Sequence, residues 1–187
     1  MAAEKLPGLS TRPASEICPP AGLGDQAAAL LARERDASEA LAQLIEQDDL
    51  AAAIRFLAHA LPKADAVWWA CEAARVTQRD DEPEANTRAL EAARTWVIEP
   101  GENTRRSAQQ AAEAADPRSP CALAALAAFF ADGSMAPPDA PDLPAPDHLT
   151  GTMAATAVML AAATGDPQEI EARQRQFLDH GIQLARG

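Results

Sequence analysis

Alanine fills 47 of the 187 positions, about a quarter of the chain, and no other feature restricts the fold as much. Alanine has the highest helix propensity, while the aromatic and β-branched residues that favour strands are scarce. Aromatics make up 4% of the residues, tyrosine is absent, and only nine glycines interrupt the chain. The expected fold class is therefore all-α: a single compact domain of seven to nine short helices, arranged as hairpins in a bundle or a HEAT-like stack. Residues 1–24 carry four prolines and three glycines among scattered Leu and Ile, which predicts an extended or disordered N-terminal arm. The α-helical domain is then expected over 25–187.

Breakers and caps divide that domain. Asp25 can cap a helix over 26–35, and a second over 38–47 carries Leu41, Leu44 and Ile45 on one face. Asp48 and Asp49 open the next, which Pro62 stops; a helix over 63–77 follows so soon that an antiparallel hairpin is expected. Pro83 suits the first turn of a helix reaching Ile98. The segment after Glu102 has only alanine as apolar content, which predicts a peripheral helix with Arg105 and Arg106 in surface pairs. Cys121 to Ala131 is apolar on every side, the mark of a central buried helix. Five prolines make 134–148 a crossover rather than a helix. A second apolar helix around Met153 to Ala163 and a capping box at Asp166-Pro-Gln-Glu169 complete the pattern.

The formal charge of −12 and a pI near 4.6 argue against nucleic acid and anionic lipid as partners. The longest apolar runs reach about half of the roughly 20 residues that span a bilayer. No charged and apolar leader opens the chain, so a cytoplasmic protein without membrane insertion is expected. Cys18, Cys71 and Cys121 are far apart and odd in number, which fits reduced structural thiols. His59, His148 and His180 lack metal-ligand spacing, and neither a nucleophile elbow nor a phosphate loop is present. No metal, no cofactor and no catalytic residue is expected.

Trp68-Trp69 is the most informative dipeptide. Adjacent helical residues point about 100° apart, so the two rings need cover on two sides. Ala64, Val67, Trp68, Cys71 and Ala74 share a stripe, which places Trp68 in the core. Trp69 then falls on a flank with Glu72 and Val76, a candidate partner-binding face. The plainer reading is that both rings fill an alanine-rich core. An alternative site is a pocket between helices lined by Trp68, Trp96, His59 and Cys71.

The string Arg55-Phe-Leu-Ala-His-Ala-Leu-Pro62, followed by Ala66-Val-Trp-Trp-Ala-Cys71, resembles the signature of an uncharacterised bacterial family of small alanine-rich helical proteins. Phe129-Phe130, Gly133-Ser134, the Pro-rich loop and the closing 177–187 segment are similar to it as well. The resemblance covers most of 48–187 and implies a setting near type VI secretion gene clusters, with no catalytic residues to carry over. The resulting expectation is a non-enzymatic adaptor, accessory or chaperone-like protein that binds another protein. A small-ligand or enzymatic pocket domain and a self-associating homo-oligomer are the alternatives.

Overall fold

The computed structural model describes residues 5–23, 36–137 and 139–187; the expected helix over 26–35 lies outside them. The described residues form α1 (Ala14–Ile17), α2 (Ala37–Glu46), α3 (Leu50–Ala60), α4 (Lys63–Val76), α5 (Glu84–Ile98), α6 (Glu102–Ala114), α7 (Pro120–Phe129), α8 (His148–Ala163) and α9 (Ile170–Arg186). Their only extended pairing is an isolated bridge between Ser134 and Pro144. The architecture is a compact all-α domain.

Helix starts follow local chemistry. Asp36, Asp49 and Ser119 each accept a backbone N–H three residues on, satisfying donors that the first turn leaves without partners. Asp166 accepts from Gln168 N, but the reciprocal half of a capping box is not made, because Glu169 turns instead to Arg173 at 2.9 Å.

The inner helices are α4, α7 and α8, which pack on one another. The α7 helix is buried on nearly every side among α4, α5, α6 and α8, as its unbroken apolar run predicts. Alanines at these contacts let the helix axes approach closely while keeping the interior dense. The pair α3 and α4 departs from the expected hairpin: they barely touch, and α8 packs against both. Leu61 and Pro62 are both extended (ψ 151° and 145°), which splays the helices rather than folding one back on the other.

The described part of the N-terminal stretch lies against the helices. Residues 5–23 dock on the domain, with Leu6, Leu9, Ile17 and Cys18 buried. The attachment caps two helix ends. Ser10 N donates to Ala60 O at 2.7 Å and Arg12 Nη2 to His59 O at 2.8 Å, closing α3; Gly8 N donates to Ala185 O, closing α9. Gly8 lies so close that a Cβ would sit 2.8 Å from that oxygen. The segment is held by these backbone bonds together with buried Leu6, Leu9, Ala14, Ile17, Cys18, Ala21 and Leu23.

Candidate functional site

The two tryptophans exchange their expected places. Trp69 is 0% exposed, on a stripe with Ala66, Ala70 and Ala73, and its Nε1–H donates to Phe177 O of α9 at 2.8 Å. Gly181 makes that approach possible, since a Cβ would fall 2.8 Å from the indole. Trp68 is only half-buried, with the Arg94 guanidinium 5.4 Å above its ring. Apolar residues lie on both sides of α4 and both sides are packed, so periodicity does not tell which of the two rings is enclosed. A partner face centred on Trp69 is therefore excluded by burial. Glu72 is tied to Arg75 at 2.9 Å, and Val76, 52% exposed, is the one member of the trio open to contact.

The expected inter-helix pocket is not assembled either. Trp96 and Cys71 are buried in the core, where burial pushes the Cys71 thiol up to about 12. His59 lines two cavities at the other side of α8, and neither includes Trp68, Trp96 or Cys71. Arg105, expected at the surface, is buried instead, binding Glu102 and the carbonyls of Phe129 and Ser134.

What surrounds His59 is a different site. The end of α3, the start of α8 and the docked N-terminal segment enclose a cavity of about 460 Å³, lined among others by Arg12, His59, Lys63, Asp147, His148 and Thr150. His59 is 7% exposed, and its ring lies against Gly151, where a Cβ would come within 2.6 Å of Nδ1. No hydrogen bond to its imidazole is formed among the described residues. The Thr150 hydroxyl, in a residue 1% exposed, also has no partner. The N-terminus of α8 carries no side-chain cap. Lys63 Nζ and Asp147 Oδ1 pair across the mouth at 3.0 Å, and Lys63 holds the Asp147 carboxyl below its usual range.

A second cavity, about 310 Å³, shares Pro20 and His59 with the first and is walled by Ala21, Ala155, Thr156 and Met159. Arg55 reaches it with a buried Nε that has no hydrogen-bond partner. Arg55, His59 and Lys63 recur at i, i+4, i+8 in a chain of net charge −12, and that spacing was the sequence signal for this site. It is easily passed over because Pro62 interrupts the helix between its last two members.

Burial lowers the His59 pKa to about 4, with His148 and Arg12 adding repulsion. The unfolded chain takes up this proton near pH 6.5 and the folded chain does not. Stability from the neutral ring is thus fully present above pH 6.5 and is lost as pH falls toward 4, by about 3 kcal/mol in all. Urea unfolding across this range should show the loss, and His59→Gln should flatten it. Glu102 and Asp147, whose carboxyls are held low by Arg106, Arg105 and Lys63, act in a more acidic window.

A model of a family of unknown function (DUF6931) matches residues 40–185. No curated protein and no solved structure matches the chain. The chain belongs to that family of unknown function.

Proposed function

We propose that this family member is a non-enzymatic recognition module that binds a small ligand in the His59 cleft. One observation carries the reading: the Thr150 hydroxyl is buried without a partner, and the His59 imidazole, which makes no hydrogen bond among the described residues, lines the same cavity of ligand size. The absence of chemistry is part of the proposal. An imidazole held near 4 is a weak general base at neutral pH, and Cys71 and Cys121 are pushed up to about 12 and 11 by burial, far from thiolates. Thermal melting against a small-metabolite panel, read together with the His59 ring resonances by NMR, tests it. A ligand should raise the melting temperature by mass action and shift the His59 signals. A panel that moves neither would mean that ordered water alone completes the two groups, and the reading would fall.

The second reading is the adaptor, in the cytoplasm of a bacterium and beside a type VI secretion system. It is supported by the resemblance of the 55–71 segment and by Val76, half-exposed at the end of α4. Capture of a defined secretion component that is lost in Val76→Asp would favour it.

A further inference from the structure

We infer that the two cavities meeting at His59 form one site for an anionic amphiphile, with its oxyanion held at the polar mouth and its apolar chain lying along α8. This rests on reading the cleft as a binding site and names the ligand class.

The charge around the cleft runs against the charge of the molecule. The chain carries 28 acidic residues against 16 Lys and Arg, yet the two cavities gather Arg12, Arg55, Lys63, His59 and His148 around one carboxylate, Asp147. Asp147 is largely exposed and already paired with Lys63, and the remaining basic groups outnumber it. Arg12 is oriented by its bonds to Ser10 Oγ and His59 O, and Arg55, whose Nε has no hydrogen-bond partner, lines the second cavity. The uncapped start of α8 adds the positive end of a sixteen-residue helix. A cation would meet net repulsion here, whereas an oxyanion would find donors in Thr150, Arg12 and Lys63 and a polarisable imidazole beside them.

The second cavity offers a different surface. Pro20, Ala21, Ala155 and Met159 are apolar. The two threonines on its wall donate their hydroxyls to carbonyls of their own helix, Thr152 to His148 at 3.0 Å and Thr156 to Thr152 at 2.7 Å. They therefore present methyl groups and no free donor. Polar mouth and apolar chamber are adjacent through His59 and Pro20, which fits a ligand with one charged end and a short hydrocarbon segment.

Titration calorimetry of the full chain with octanoate, octyl phosphate, octanol, octylamine, acetate and inorganic phosphate tests the inference. Octanoate or octyl phosphate should bind at least tenfold more tightly than octanol, acetate or phosphate, and whichever of the two binds tighter separates a carboxylate from a phosphate source. Lys63→Gln should weaken the preferred anion about tenfold, and Thr156→Trp, at an exposed wall position, should block the chain without disturbing the core. Equal or tighter binding of octanol or octylamine would overturn the ligand class while leaving the site in place. Octanoate binding that neither variant changes would overturn the placement. No binding by any probe, with His59 resonances unmoved throughout, would overturn the inference and the site reading together.

Discussion

Replacing Trp69 with alanine is expected to cost about 4 kcal/mol of folding stability, a large share of what a domain of this size has. The ring is fully enclosed between α4 and α9, against Leu57, Phe177 and Gly181. Alanine would open a cavity that two helices fixed by many other contacts cannot collapse. Trp69→Phe should cost about 1–2 kcal/mol, because the phenyl ring fills most of the space and the Phe177 carbonyl retains its place in the α9 ladder. Trp68→Ala should cost clearly less than Trp69→Ala, since that ring is only partly buried. Urea denaturation of the three variants checks the order. Equal losses at 68 and 69 would mean that the two faces of α4 are not as described. The same result bears on interaction assays: a partner lost in Trp69→Ala reports unfolding rather than a contact surface.

Helix number and helix ends were legible because they depend on neighbours in sequence. Asp36, Asp49, Ser119 and Asp166 announce caps within three residues, and Pro62, Pro83 and Pro120 mark boundaries by their own geometry. Facing was not legible where alanine covers several sides of a helix. On α4 the stripes through 66-69-70-73 and 64-67-68-71 look equally apolar and both contribute buried residues, so the pattern does not tell which tryptophan is enclosed; the close approach of Gly181 encloses Trp69. Docking of the N-terminal segment was hidden for another reason. Its buried Leu6, Leu9, Ile17 and Cys18 follow no helical period, and the backbone N–H groups of Gly8 and Ser10 that bond the open carbonyls of α3 and α9 leave no side-chain pattern. The cleft combines both difficulties. Its members come from 12, 55–63 and 147–151, and the residue that lets His59 pack inside is a glycine mid-turn in α8, Gly151, which from sequence reads as a small weakness in an apolar helix.

Arg105→Met should destabilise the chain by about 4 kcal/mol and loosen the Pro-rich crossover before the helices unfold. Arg105 is 1% exposed, and its guanidinium donates to Phe129 O at 3.0 Å and Ser134 O at 2.9 Å while stacking 4.9 Å from the Phe129 ring. Methionine fills a similar volume but strands the buried Phe129 carbonyl, a loss of roughly 1–3 kcal/mol, and removes the cation–π contact, about 1–2 kcal/mol more in a desolvated site. Ser134 keeps a second donor, Arg106 Nη2 at 2.8 Å, so the crossover is weakened rather than released. The ion pair with Glu102 contributes little, because that carboxylate is 57% exposed and is also held by Arg106. Glu102→Gln should therefore cost less than about 1 kcal/mol. Hydrogen exchange gives the local measurement: the Met135 amide, bonded to Leu143 O at 2.8 Å, should exchange faster in Arg105→Met at denaturant concentrations where α7 remains protected. If Glu102→Gln matched Arg105→Met in both stability and exchange, the carboxylate rather than the two carbonyls would be what Arg105 serves. The chain reversal at Gly133 supports the carbonyls. Its φ of +67° turns the backbone toward Arg105, and a Cβ there would come within 2.9 Å of the guanidinium. The turn and the arginine are thus mutually fitted, and a charge buried for its hydrogen bonds to backbone explains how a peripheral helix with only alanine as apolar content is anchored to the core.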